Sequence, residues 1–153
     1  MSVAHLEHIA AGGNRHPSAA DWDSNILAYG TGNNIAIWDP QSSENRGVKS
    51  LLSGHTDTVN SVKLFKDNFS GRTIIVSGSA DKTVRIWLEG AGSSNSFVQV
   101  TCLSEHAGSV NTIAVLPEVG LLVTGAADAT IKTWQLKTVK VGVSIVSSLR
   151  NHI

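Results

Sequence analysis

The chain has 153 residues, 41% of them hydrophobic and 16% charged, with 12 Lys and Arg balancing 12 Asp and Glu. That length suits one ordinary domain with a buried core, and zero formal charge gives no reason to expect a polyanionic partner, so direct nucleic-acid binding is not indicated. The lone cysteine, Cys102, excludes an internal disulfide framework and any cysteine-rich zinc module, and points to a reduced, intracellular setting. Residues 1–11 carry His5, Glu7 and His8 and no basic stretch, so they do not read as a secretory signal. Residues 6–11 are expected to form a lone strand. Strand-length apolar runs follow in order: Ile26 to Tyr29, Ile35 to Trp38, Val59 to Phe65, Ile74 to Val76, Val84 to Trp87 and Leu121 to Val123. They are rich in β-branched and aromatic residues and bounded by Gly, Asn, Asp or Ser. Val62 and Leu64 alternate with Ser61 and Lys63, the period of two that a half-buried strand requires. Trp22, Tyr29 and Phe65 read as core. Fourteen glycines against three prolines add many tight turns. No segment shows a capped apolar stripe of helical period, and no apolar run approaches the roughly 18–20 residues that cross a bilayer. The expected class is all-β, with no membrane partner.

The chain repeats itself. Ser77-Gly78-Ser79-Ala80-Asp81-Lys82-Thr83-Val84-Arg85-Ile86-Trp87 aligns without a gap on Thr124-Gly125-Ala126-Ala127-Asp128-Ala129-Thr130-Ile131-Lys132-Thr133-Trp134, 47 residues on. Upstream, Leu52-Ser53-Gly54-His55 aligns on Leu103-Ser104-Glu105-His106. A weaker copy ends at Trp38-Asp39, and Leu149-Arg150-Asn151-His152 sits where a further copy would open. The Gly/Ser/Asn stretch Gly90 to Ser96 reads as a flexible connector.

A period near 47, a Gly-His opening and a strand ending in Trp resemble the WD40 repeat, a family of β-propellers with four strands per blade. Gly54-His55, Asp81, Trp87, His106, Asp128, Trp134 and Trp38-Asp39 carry the resemblance. Two departures stand out: Trp87-Leu88 and Trp134-Gln135 lack the terminal Asp, and His106 follows Glu105 rather than Gly. The resemblance implies an incomplete arc of about three four-stranded blades. Residues 12–52 form the first, 53–104 the second and 105–150 the third, with 151–153 opening a missing fourth repeat. Three blades do not close a ring of 4–8. The chain is therefore expected to be a truncated propeller, marginally stable and prone to aggregate through its open sheet faces.

His55, Ser77 and Asp81 have the residue types of a hydrolytic triad. They recur as His106, Thr124 and Asp128, each set with a Trp six residues after its Asp, whereas catalytic sets are rarely duplicated at a repeat period. An indole N–H only donates, a hydroxyl and a neutral imidazole do both, and a carboxylate only accepts. A chain from Trp through hydroxyl and His to Asp therefore pairs every inner polar group. Ser79 competes with Ser77, but its counterpart Ala126 has no hydroxyl, so Ser77 is preferred. The expected structural networks are His55, Ser77, Asp81 and Trp87, then His106, Thr124, Asp128 and Trp134. In the first copy the hydroxyl and Asp places fall on Ala28 and Gly32, so that blade is expected to lack the network and to be less rigid. The histidines show no metal-ligand spacing, and Gly30-Thr31-Gly32 lacks the helix of a phosphate loop. Lys132, Lys137 and Lys140 read as a solvated face. No catalytic, cofactor-binding or metal site is expected.

The opening is more distinctive. Ile9-Ala10-Ala11-Gly12-Gly13-Asn14-Arg15, then Asp21-Trp22, then Leu27 to Pro40 ending in Trp38-Asp39-Pro40, is similar to the start of the Elongator complex subunit 2 family. Beyond residue 53 the likeness is generic WD40. The resemblance implies an N-terminal fragment of a longer, double-propeller scaffold in the cytoplasm, extending to the nucleus. It further implies partnership with Elongator subunits 1 and 3, and support of wobble-uridine modification of tRNA to 5-carboxymethyl-type derivatives by a catalytic subunit on another chain. A different WD40 adaptor, in ubiquitin ligation, trafficking or chromatin, is the alternative. An enzyme is the least favoured class.

Overall fold

The computed structural model describes residues 12–23, 26–41, 47–91, 96–139 and 142–151. The expected lone strand at 6–11 and the repeat opening at His152 lie outside these residues, as do Lys140 and residues 92–95 of the connector. The described chain forms three four-stranded antiparallel sheets, each built from strands consecutive in sequence. The first holds β1 (Ala20–Asp23), β2 (Ile26–Thr31), β3 (Asn34–Trp38) and β4 (Val48–Ser53). The second holds β5 (Val59–Lys66), β6 (Thr73–Ser79), β7 (Val84–Glu89) and β8 (Phe97–Leu103). The third holds β9 (Val110–Leu116), β10 (Leu121–Ala126), β11 (Ile131–Val139) and β12 (Gly142–Asn151), with a short 3₁₀ turn at Pro117–Val119. This is an incomplete β-propeller of four-stranded blades. No described helix is long and apolar enough to cross a membrane.

The middle sheet is covered on both faces, which explains why every residue of β6 is buried, rather than every second one, and why Ile74, Ile75 and Val76 run consecutively. Ile75 and Trp87 pack with Ile26, Ala28, Ile35 and Ile37 of the first sheet. Ile74, Val76, Val84 and Ile86 pack with Val110, Ile113, Leu122 and Trp134 of the third. The inner strands also meet edge to edge. Val62 N–H donates to Ser18 O at 2.9 Å, and Leu64 N–H donates to Asp21 Oδ2 at 2.9 Å.

Two features of the first sheet differ from the sequence reading. Trp22 is 49% exposed and packs a tilted ring on Trp38, with centroids 6.2 Å apart. It lies on the face turned away from the second sheet, where nothing described covers it. Tyr29, likewise, is only half-buried. The register also moves the hydroxyl place. Trp38 pairs with Leu27 as Trp87 pairs with Ile75, so Tyr29, not Ala28, stands where Ser77 stands. Between equivalent ladder pairs, Gly30 with Ile35 against Gly78 with Val84 and Gly125 with Ile131, the β2–β3 connection is one residue shorter, and a slip of one residue turns a side chain to the opposite face. Ala28 accordingly packs toward the second sheet. The end of the third sheet shifts as well: Asn151 pairs with Ile131, the place that Leu103 holds opposite Val84. Only residues 140 and 141 separate β11 from β12, and so short a connection sets the register.

The β6–β7 and β10–β11 turns share one backbone form. Each places a non-glycine residue in the left-handed region, Lys82 at φ 71° and Ala129 at φ 59°. Ala129 is exposed. Ala129→Gly is therefore expected to raise stability by about 0.5–1 kcal/mol, because glycine adopts this conformation without the Cβ penalty. Urea denaturation checks it: an unchanged or lower midpoint counts against a strained turn.

Candidate functional site

Two polar chains run through the second and third sheets. In the second, Trp87 Nε1 donates to Ser77 Oγ at 3.0 Å, Ser77 Oγ lies 2.8 Å from His55 Nε2, and His55 Nδ1 lies 2.9 Å from Asp81 Oδ2. In the third, Trp134 Nε1 donates to Thr124 Oγ1 at 2.9 Å. Thr124 Oγ1 lies 2.8 Å from His106 Nε2, and His106 Nδ1 lies 3.1 Å from Asp128 Oδ2. All eight residues singled out in the sequence are thus brought together, four in each set. A carboxylate only accepts, so Nδ1 of each imidazole carries the proton and Nε2 accepts from the hydroxyl. Each Trp and hydroxyl lies on a neighbouring strand pair, β7 with β6 and β11 with β10. Each His precedes the inner strand, and each Asp occupies the tight turn. The chain therefore ties two strands, the loop before the inner strand and a tight turn of one sheet together.

The sequence reading missed Thr83 and Thr130. Thr83 Oγ1 donates to Asp81 Oδ1 at 2.7 Å and lies 3.1 Å from His55 Nδ1. Thr130 does the same, at 2.6 Å from Asp128 Oδ1 and 3.2 Å from His106 Nδ1. The signal was present as a repeated Asp-x-Thr, Asp81-Lys82-Thr83 and Asp128-Ala129-Thr130. Backbone donors complete each carboxylate: Thr56 N–H at 3.0 Å on Asp81 and Ala107 N–H at 2.7 Å on Asp128. Ser79 stands apart from the chain. Its Oγ donates to Asp57 O at 2.8 Å and accepts from Asp81 N–H at 3.1 Å.

These surroundings set the charges. Burial pushes the Asp81 carboxyl up, but hydrogen bonds from the Thr83 hydroxyl, the Thr56 and Thr83 amides and His55 outweigh it and hold the carboxyl at about 2. Asp128 is held well below the usual carboxylate range, first by the Thr130 hydroxyl and then, against burial, by the Ala107 and Thr130 amides and His106. Burial lowers His55 against the opposing pull of Asp81. Both kinds of shift act in one direction. His55 takes up its proton in the unfolded chain at higher pH than in the folded one, so stability is full above about pH 6.5 and declines as pH falls through it. The Asp81 contribution is then lost between about pH 4 and pH 2. Urea midpoints at pH 7.5, 5.5 and 3.5 should fall in that order, and a midpoint that rises toward pH 5.5 contradicts this assignment.

The Ser–His–Asp geometry is that of a nucleophile with its base, yet Ser77 is fully buried and the Trp87 indole occupies a lone pair of its oxygen. No cluster of three or more metal-ligating side chains occurs among the described residues. Lys132 Nζ donates to Glu105 O at the surface, and Lys137 is exposed. A recess of about 390 Å³ opens between the β5–β6 loop and the β9–β10 turn, floored by Phe65, Ile74 and Leu136, with Phe69 and Val119 exposed at its lips.

Comparison with known proteins gives two kinds of likeness. The model of the family "WD domain, G-beta repeat" matches residues 47–87 and 97–135. Elongator complex protein 2 of Drosophila melanogaster is 36% identical over 140 residues, covering 88% of this chain and 16% of that protein. Elongator complex protein 2 of Saccharomyces cerevisiae is 31% identical over 131 residues, 84% of this chain and 16% of that protein. Eukaryotic translation initiation factor 3 subunit I of Aspergillus fumigatus is 34% identical over 88 residues, 58% of this chain and 23% of that protein. This chain thus spans about a sixth of the Elongator relatives it matches.

Proposed function

The chain belongs to the WD40-repeat family, and from that premise we propose that it is a non-catalytic scaffold element of the Elongator complex. The extent of the likeness carries this reading. A match over 88% of the chain takes in most of the first sheet, whose strands β1 to β3 the WD40 model leaves out. The initiation-factor match covers 58% and is no longer than the stretch that holds the two generic repeats. As a scaffold element the chain contributes to an N-terminal propeller. It serves, with Elongator subunits 1 and 3, to organise the complex that modifies wobble uridine in tRNA to 5-carboxymethyl-type derivatives. Its place of action is the cytoplasm, with a nuclear pool. The chain itself supplies no reacting group: the hydroxyl–imidazole–carboxylate sets are used up in holding strands together.

Two experiments test this. Affinity purification of the tagged protein from its own cells should recover Elongator subunits 1 and 3. Recovery of translation-initiation subunits, or of ubiquitin-ligase, trafficking or chromatin subunits instead, would assign it to a different adaptor class. A serine-reactive fluorophosphonate should leave Ser77 unlabelled in the folded chain, since the hydroxyl is buried beneath the Trp87 indole. Labelling at Ser77 would overturn the non-catalytic reading.

A further inference from the structure

Adjacent sheets meet at a second repeated constellation, separate from the imidazole chains. At the first interface, Asn14 Nδ2 donates to Val59 O of the second sheet at 2.9 Å. At the next interface, Asn60 Nδ2 lies 3.1 Å from Val110 O of the third sheet and 2.8 Å from Ser109 Oγ. In both cases the acceptor is the carbonyl of the valine that opens the neighbour's innermost strand. A glycine faces the same valine each time. A Cβ built on Gly30 would lie 3.0 Å from Val59 O and 3.2 Å from Val59 Cβ, and one on Gly78 would lie 2.6 Å from Val110 Cγ1. Neither glycine has a positive φ, so what they provide is room rather than backbone freedom. Gly30 and Gly78 hold equivalent register positions, opposite Ile35 and Val84.

We propose that Asn14 with Gly30, and Asn60 with Gly78, form a repeated inter-sheet lock that seats the valine opening the neighbour's innermost strand. The amide reads the carbonyl of the strand's first residue. The glycine leaves a notch, filled at Gly78 by the Val110 branch methyl and at Gly30 by Val59 Cβ and carbonyl with the Asn14 amide. A side chain too small leaves the notch empty, and any Cβ on the glycine side collides with it. The amide orientation is fixed at the first interface, because Asn14 Oδ1 also accepts from Gly32 N–H at 2.8 Å. Val59 and Val110 are both fully buried, as a filled notch requires. Asn111 and Gly125 hold the same two places in the third sheet. There Asn111 Oδ1 accepts from Asn60 Nδ2 at 3.2 Å, while its own Nδ2 has no partner among the described residues.

The lock is tested in the whole chain by a cycle of Gly78→Ala, Val110→Ala and the double variant. Gly78→Ala should lower the folding equilibrium constant roughly ten- to a hundredfold, because the added methyl meets Val110. In the double variant the notch has room again, so it should be more stable than Gly78→Ala alone. Additive losses would overturn the lock. A second measurement needs no variant. Hydrogen exchange of side-chain amides, followed by NMR on the unaltered chain, should be slower at Asn14 and Asn60 than at Asn111 by about tenfold or more, as bonded amides are protected. Equal rates at the three asparagines would overturn the proposal independently of the cycle.

Discussion

Trp87→Ala is expected to destabilise the chain by about 3–5 kcal/mol, a large share of the roughly 5–15 kcal/mol that holds an ordinary domain together. The ring is 3% exposed and sits in the cluster shared by the first two sheets, so its removal leaves a cavity at their interface. It also removes the donor from Ser77. Trp87→Phe separates the two effects. It keeps most of the packing and loses the indole N–H, and should cost nearer 1–2 kcal/mol. Urea denaturation of the three proteins checks this. If Phe proves as costly as Ala, the hydrogen bond rather than the packing carries the effect. If both are nearly neutral, the interface is not part of the cooperative fold.

Asp81→Ala is the second large effect. The Asp81 carboxylate is the acceptor for the His55 Nδ1–H, the Thr56 and Thr83 amides and the Thr83 hydroxyl. Its side chain is 5% exposed, and that of His55 is 1% exposed. Alanine leaves the buried His55 donor unpaired and takes the acceptor from the part-buried Thr83 donors, at a cost of roughly 1–3 kcal/mol. Asp81→Asn restores an acceptor without the charge and should lie between. Lys82→Ala, one residue on, changes an exposed side chain and should move stability little. A thermal shift for Asp81→Ala no larger than that of Lys82→Ala would mean the carboxylate is a surface charge.

The parts of the architecture that recur were legible in the sequence. The 47-residue spacing between Asp81 and Asp128 and between Trp87 and Trp134 carried the sheet class, and the donor–acceptor inventory ordered the polar residues. Thr83 and Thr130 escaped because a hydroxyl two residues after an Asp reads as ordinary turn chemistry until the imidazole is seen beside it. Ala28 was set in the wrong place because counting from Trp38 ignores a turn one residue shorter, and in a strand that error changes the face. Trp22 reads as core in the sequence, whereas its burial depends on what covers the face it lies on, and it is 49% exposed. Asn14 and Asn60 carried no signal as a pair: their bonds go to backbone carbonyls of another sheet, 45 and 50 residues away.

Strand β6 is a wall with a different core on each side. Ile75 faces the first sheet and Ile74 with Val76 faces the third, while Ser77 lies on the Ile75 side beneath Trp87. A pairing slip of one residue would therefore fail twice. It would drive the Ser77 hydroxyl into the apolar cluster around Val110 and Ile113. It would also bring a valine under the indole, leaving Trp87 Nε1 and His55 Nε2 with no partner. A half-buried strand that slips is penalised on its one covered face. This strand is checked against two neighbours at once, so a misaligned intermediate gains nothing from either side and is left free to unzip and search again. The middle sheet, by this reasoning, proofreads the alignment of the whole arc as it folds.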